Sequence, residues 1–313
     1  MRSSVIYELK ARSDLWTGDC RGKPDRLVTT GLLGSIRWWF EVVVRGLGGM
    51  VCDPSGPGSC PDDSGRRCPT CEFFGCTGWA RKFRFDVLDQ HDMPQQIKKD
   101  NSFRFSFMPL RPIQPKEWAL LDLTLRLIAD YGAIGGKTVL KPSDEQNRQN
   151  EPHHKDYGLI QIERRPSDIQ SFSVQMLEDY AARPCWRRVN QAGFAWASLA
   201  NFWCVNGKYL ARQNESFSSF NHLIGRPQPK RQSSGNDSWI AGRRPDRAHK
   251  VDAESKKVFS FKDPARTFGF VNGKDVTFDT MKTKLKCAWS DLADHEVKEG
   301  KAILKELLSG AAS

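Results

Sequence analysis

The sequence has no long apolar run: hydrophobic residues make up 39% of its 313 positions, and charge interrupts them throughout. Nothing approaches the roughly 20 apolar residues of a membrane span. The first 30 residues carry Arg2, Glu8, Lys10, Arg12 and Asp14, so they hold no apolar core for a secretory signal. The expectation is a cytoplasmic protein with no membrane partner. Acidic residues are in deficit, 37 against 48 Lys plus Arg, for a net charge of +11. That balance excludes an acidic, solvating chain and favours a polyanion or an acidic protein surface as partner. Histidine is scarce, and its one adjacent pair, His153 and His154, sits in a polar stretch. No Ser, His, Asp order and no carboxylate pair nominates a nucleophile or general base, so no catalytic residue is expected. A fixed-period repeat is also missing.

A phosphate loop is missing too, although "YGAIGGKT" resembles G-x-x-x-x-G-K-[ST]. Only three residues separate Gly132 from Gly136, and Tyr131 occupies the required glycine position. The segment also follows a helical pattern, whereas a phosphate loop follows a strand and opens a helix. What remains is a glycine-rich turn carrying Lys137 and Thr138. It is either a plain helix stop or a place where amides and an ammonium meet a sugar-phosphate chain.

Cysteine is abundant and unevenly placed. Five of the nine, Cys52, Cys60, Cys68, Cys71 and Cys76, lie in "CDPSGPGSCPDDSGRRCPTCEFFGC", at intervals of seven, seven, two and four residues. In a large chain without a leader such crowding points to metal rather than to disulfides. C-x2-C at Cys68 and Cys71 is a knuckle, and two upstream sulfurs complete a tetrahedral zinc site. Cys52, Cys60, Cys68 and Cys71 are favoured. Cys76 is the substitute candidate, because it follows the "EFFG" turn where the chain departs towards a strand. Four thiolates leave no position for water, so the zinc would be structural.

Apolar alternation predicts strands around 5–11, 83–87, 103–107 and from 157, and helical spacing predicts helices within 29–49, ended by Gly46, Gly48 and Gly49, and around 118–128. The order β, α, β, β, α, β is that of a split βαβ, or ferredoxin-like, unit. The fold class is therefore α+β, with two ferredoxin-like domains: 1–165, bearing a cysteine-rich zinc-knuckle insert at 50–76, and a degenerate, partly helical one at 166–313. Residues 143–156 read as a polar surface loop, and 190–204 as a helix of small and aromatic residues. Residues 226–257 hold nine Lys or Arg against four Asp or Glu and read as a basic loop. Asn272-Gly273 signals a two-residue hairpin. Phe268 to Val271 reads as core strand first and stacking platform second, and two further helices close the chain.

The helix-like run over 29–49, "TTGLLGSIRWWFEVVVRGLGG", has glycines at its mouth. Thr29 or Thr30 can cap it, while Gly31 and Gly34 let another backbone approach unpaired first-turn amides, a seat for phosphate. Arg37 and Arg45 share one face, with Glu41 midway. They are either a flank stitched by ion pairs or phosphate ligands. Trp38 is either core or a surface for stacking a base.

Taken together, "LVTTGLLGSIRWWFEVVVRGLGGMVCDP", "CPTCEFFGCTGWARKFRFDV" and "YGAIGGKTVLKPSD" resemble the RAMP (repeat-associated mysterious protein) superfamily. Within it they resemble the family of first subunits of the Cmr complex, a type III-B CRISPR effector. The likeness is strongest over 15–145. Its pattern is a glycine turn into a helix bearing R-W-W, an "FG" turn before a basic strand, and a glycine-rich loop after the second helix. The resemblance implies two ferredoxin-like domains, binding of CRISPR RNA near its 3′ end and of the paired target RNA in antiviral defence, and assembly with other RAMP subunits. It implies no catalysis by this chain. The RNA-binding residues it points to are Thr30, Gly31, Gly34, Arg37, Arg45, Arg81, Arg84, Gly135, Gly136, Lys137 and Thr138. The alternative is a metal-independent endoribonuclease that processes CRISPR repeat RNA.

Overall fold

The computed structural model describes residues 4–18, 26–53, 56, 58–89, 94, 96–135, 142–149, 151–190, 193–226, 239–242 and 254–310. The chain forms two compact units. The first comprises Met1–Lys137, Tyr157–Ala200 and Gly300–Ser313, and the second comprises Thr138–Asp156 and Asn201–Glu299.

In the first unit the elements are β1 (Val5–Ala11), α1 (Thr29–Gly46), α2 (Pro69–Phe74), β2 (Phe83–Leu88), β3 (Ser102–Pro109), α3 (Pro115–Tyr131), β4 (Ile160–Arg164) and α4 (Val174–Ala181). The sheet order is β2-β3-β1-β4, with every pairing antiparallel, the topology of a ferredoxin-like unit. Alternation decides which face is buried. Tyr7, Leu9, Phe83, Phe85, Phe103, Phe105 and Phe107 are buried, and they pack as rings against α1 and α2, for example Phe40 stacked on Phe73 and Phe73 beside Phe83. The alternate residues, Ile6, Glu8, Lys10, Arg84, Asp86 and Arg104, form the other face, which carries no aromatic ring among the described residues.

The start of α3 is fixed by Pro115 and by Glu117, whose carboxylate accepts the Gln114 N–H at 2.8 Å. The same buried carboxylate accepts from Lys82 Nζ at 2.8 Å and Tyr180 OH at 3.1 Å. Lys82 also reaches Glu72 of α2 at 3.0 Å. This network ties α2, β2, α3 and α4 together, and removing one partner of a pair buried this deeply costs about 3–5 kcal/mol.

The second unit runs β5 (Phe202–Asn206), α5 (Ser219–Leu223), β6 (Val258–Lys262), β7 (Ala265–Phe270), α6 (Phe278–Ala288) and β8 (Lys298–Glu299). Its sheet order, β6-β7-β5-β8 and again antiparallel, reproduces that of the first unit. What is reduced is element length: α5 has five residues and β8 two. The last helix, α7 (Gly300–Ser309), belongs to the first unit and buries Ile303 and Leu307. No helix among the described residues is long and apolar enough to cross a membrane.

Four expectations are corrected. The described part of 190–204 is not an α-helix: a 3-10 turn at Leu199–Asn201 leads into β5, whose Phe202, Trp203, Cys204 and Val205 are all buried. A strand covered on both faces reads as a continuous apolar run, which periodicity does not separate from a helix. Asn272-Gly273 is not a hairpin. Its side chain accepts from the N–H groups of Asp275 and Val276 at 2.9 and 3.0 Å, and this turn delivers the chain into α6. Residues 143–156 are not simply a surface loop. Asp144 accepts from Tyr209 OH at 3.0 Å and Lys262 Nζ at 2.6 Å, and Glu145 pairs with Arg212 at 2.6 Å, so this stretch packs into the second unit. The two units consequently interleave along the chain, where the sequence suggested one boundary at 165/166. Phe268 and Phe270 are buried, as core strand. Most of 226–257 lies outside the described residues.

Candidate nucleic-acid interface and thiolate centre

The two glycine-rich bends meet. After α3, Gly132 passes so close to Trp39 that a Cβ there would stand 2.7 Å from the indole. The Trp39 indole N–H donates to Ala133 O at 2.8 Å, and the Gly135 N–H donates to Ser35 Oγ at 3.1 Å. Gly135 has φ +110°, with Trp16 O where a Cβ would go, so only glycine fits. The bend is thus clasped to the second turn of α1. Gly136, Lys137 and Thr138 lie outside the described residues.

At the mouth of α1 the glycines divide. Gly31 serves packing: its missing Cβ makes room for Thr17 at 3.3 Å, and its N–H bonds Val28 O at 2.9 Å. Thr17 Oγ1 in turn accepts the Val28 N–H at 2.6 Å. Gly34 has nothing within 4 Å of its would-be Cβ and is exposed, as is Thr30. The first turn carries no acidic residue, so the positive end of the helix dipole is not neutralised there. Neither threonine caps the helix; the N-cap position is Val28. Trp39 is core, and Trp38 lies half-buried with its ring edge-on to Trp39 at 5.0 Å.

The structure takes two arginines away from this surface. Arg37 donates from Nη1 to Gly75 O at 2.7 Å, from Nη2 to Cys71 Sγ at 3.1 Å and from Nε to Glu41 at 3.2 Å. Arg45 is buried, pairs with Glu41 at 3.4 Å and donates to Ala197 O at 3.1 Å. All three charges are desolvated, with different outcomes. Burial opposes the Arg37 charge, but Cys71 and Glu41 more than offset it and raise its pKa. Burial lowers the pKa of Arg45 and raises that of Glu41 despite their pairing. Glu41 was legible as a bridge between two arginines, and that role is the one the structure shows. Arg81 is half-buried and donates to Phe83 O at 3.0 Å, while Arg84 is exposed and paired with Asp86 at 2.9 Å.

The cysteine insert gathers as its spacing suggested. The sulfurs of Cys52, Cys60, Cys68 and Cys71, all buried, lie within 4.8 Å of one another. Cys76 stands outside the group, half-buried, in a turn closed against Trp79. Local geometry explains the gathering. Cys68 caps α2, its sulfur accepting the Cys71 N–H at 3.4 Å, and Pro69 starts the helix. Cys60 Sγ accepts the Cys68 N–H at 3.3 Å. A zinc–sulfur bond of about 2.3 Å gives a tetrahedron with edges of about 3.8 Å, and the separations Cys52–Cys71 at 3.4 Å and Cys52–Cys68 at 3.9 Å bracket that value. The donor set fits a soft, tetrahedral ion. Hydrogen bonding with Cys52 lowers the pKa of Cys60 and raises those of Cys68 and Cys71, so the four thiols do not ionise independently.

Sequence reasoning missed the cations around these sulfurs. Besides Arg37, Arg187 has its pKa raised first by a hydrogen bond to Cys60, and its guanidinium also donates to Gly58 O and Ser59 O. Nothing in the local sequence of Arg187 signals this, since 119 positions separate it from Cys68.

The model of the RAMP superfamily matches residues 8–140, the span that holds α1, the cysteine insert and the bend after α3. Over that span the chain is RAMP-like in sequence, as its motifs suggested. The crystal structure of Cmr1 from Pyrococcus furiosus in its apo form is similar, at 10% identity and a TM-score of 0.42, over 99% of this chain and 97% of that one. No curated protein matches the sequence.

Proposed function

We propose that this chain is a non-catalytic, RNA-binding subunit of a Cmr-type, type III-B CRISPR effector. In this reading it holds the 3′ region of the CRISPR RNA with its paired target and assembles with other RAMP subunits. One observation carries the reading: the two glycine bends singled out in the sequence are joined by Gly135 and Ser35, beside an exposed Gly34 at the dipole-positive end of α1. Backbone phosphate would sit on the first-turn amides of Thr29 and Thr30, which helix geometry leaves without an intrahelical acceptor, with the exposed Gly34 leaving room for its approach. Arg37 and Arg45 are reassigned to the interior. The RAMP match over 8–140 supports the class.

The four cysteines are proposed to hold one structural zinc. When bound, the ion supplies folding energy to the insert rather than chemistry, because four sulfurs fill its coordination. Arg37 and Arg187 offset the net negative charge of such a centre.

The test is binding of CRISPR RNA by the purified chain across a salt series. Affinity should fall steeply with salt, since each phosphate neutralised releases counterions. Binding that is absent at low salt, or cutting of repeat RNA by the chain alone, would contradict the proposal.

A further inference from the structure

Trp79 stands in the turn between the cysteine insert and β2, its indole N–H donating to Glu72 O at 3.3 Å. The guanidinium carbon of Arg67 lies 3.7 Å from the ring centre and that of Arg111 lies 4.3 Å from it. Both guanidinium groups therefore stack on the one indole, two cations held by a single ring.

Stacking covers the faces of a guanidinium and leaves its N–H edges pointing outwards. Arg67 commits Nε to Glu72 at 2.9 Å and Nη1 to Gly65 O at 2.9 Å, and its Nη2 has no hydrogen-bond partner among the described residues. Among the described residues no carboxylate pairs with Arg111. Glu72 is the acidic group at the stack, and it is shared with Lys82 at 3.0 Å. Positive charge is therefore concentrated on a ring that holds both cations in place. Thr77, Gly78 and Ala80, beside Trp79 in the turn, are exposed and small, which leaves the ring's edge open to approach.

We propose that the Arg67–Trp79–Arg111 stack is a second binding site for single-stranded RNA, taking backbone phosphates on its outward guanidinium edges. This rests on the RNA-binding reading above and assigns a contact to the cysteine insert that the glycine bends do not supply. RNA is favoured over an acidic protein segment because the bidentate fork of Arg111 and Nη2 of Arg67 stand beside an aromatic edge. A chain of +11 also gathers polyphosphate at long range.

The experiment uses the full zinc-loaded chain and a fluorescein-labelled oligouridine, with anisotropy read across a salt series. Arg111→Glu should weaken binding by about tenfold or more. Arg111→Ala should lower the slope of log K against log salt by about 0.7 for one lost phosphate contact. Arg111→Lys should keep that slope while losing roughly threefold in affinity, as the fork is replaced by a point charge. Zinc content and Tm are measured alongside as a check of folding. Unchanged affinity and slope in Arg111→Glu would overturn the stack as a site while leaving the parent reading intact. A wild-type chain that binds no oligouridine and no CRISPR RNA would overturn both. An oligoglutamate probe that loses affinity in these variants, where oligouridine does not, would also overturn the proposal.

Discussion

Replacing Arg37 separates two accounts of the same residue. As a phosphate ligand, Arg37→Ala would abolish RNA contact and leave the fold alone. In the structure Arg37 makes three charge-assisted hydrogen bonds, to Gly75 O, Cys71 Sγ and Glu41. Each such bond is worth about 1.5–3 kcal/mol, but the loss is less than their sum, because Arg37 is 18% exposed and Glu41 keeps Arg45. Water can reach part of the space, and the Glu41 carboxylate is not stranded. A destabilisation of about 3 kcal/mol is expected, the low end for breaking a buried pair. For a unit of roughly 150–250 residues that lowers Tm by about 6–12 °C.

The same substitution strips a hydrogen bond from a sulfur proposed to hold zinc, and lost outer-shell partners of a metal ligand cost about 10–100-fold in metal affinity. The assay is thermal unfolding by circular dichroism, with zinc release to a competing chelator followed in parallel. Arg37→Lys should restore part of the Tm, since one ammonium reaches Glu41 or Gly75 O but does not span all three partners. Wild-type Tm and zinc retention in Arg37→Ala, combined with lost RNA binding, would refute the interior role and restore the phosphate-ligand account.

Gly34→Ala tests the helix mouth from the other side. With nothing within 4 Å of its would-be Cβ, the substitution should raise stability by about 0.4–1 kcal/mol yet weaken CRISPR RNA binding; undiminished binding would show that no phosphate approaches there. Cys68→Ser should remove zinc and Cys76→Ser should retain one zinc per chain, as read by elemental analysis, because only the first belongs to the buried group. Asp156 accepts the N–H groups of Lys262 and Asp263 at 2.9 and 2.8 Å, and its Oδ1 is buried without a partner among the described residues. Burial raises its pKa to about 6. A raised carboxyl stabilises the fold while protonated, so its contribution, at most about 3 kcal/mol, is present below pH about 4 and lost as pH rises through about 6. Asp156→Asn should remove that component from a stability profile taken by denaturant titration over this range; an unchanged profile would discount the buried carboxyl.

The first unit was legible where one force ruled. Strand alternation at 5–11 and 83–87 reports a sheet with one buried face, and the helical stripe of Leu32, Ile36, Trp39 and Val43 reports a helix lying on it. The thiolate group was legible because C-x2-C fixes two sulfurs locally and the "EFFG" turn carries Cys76 away. The second unit was harder to read. β5 is buried on both faces and so loses its period of two, and β8 has two residues, too few for any pattern. Which of the two readings of Arg37 holds was not legible for a related reason. Its neighbours Cys71 and Gly75 are 34 and 38 positions away, and an arginine's partner across such a distance leaves no trace at the arginine.

That long-range bond joins the two halves of the proposal. Arg37 lies within one turn of Gly34 on α1, so the thiolate group and the glycine mouth share a helix segment. Losing the ion would leave four buried thiols whose pKa values shift against one another, and Arg37 would lose the thiolate character of the Cys71 sulfur that holds Nη2. Glu41 and Gly75 O would remain, so α1 should loosen at its second turn rather than unfold. The bend at Gly135, fastened there through Ser35, would loosen with it. Zinc removal should then weaken RNA binding even though replacing a negatively charged tetrathiolate centre by four neutral thiols would, by charge alone, favour a polyanion. A chelated chain that keeps wild-type affinity for CRISPR RNA would show that the helix mouth is held without the metal.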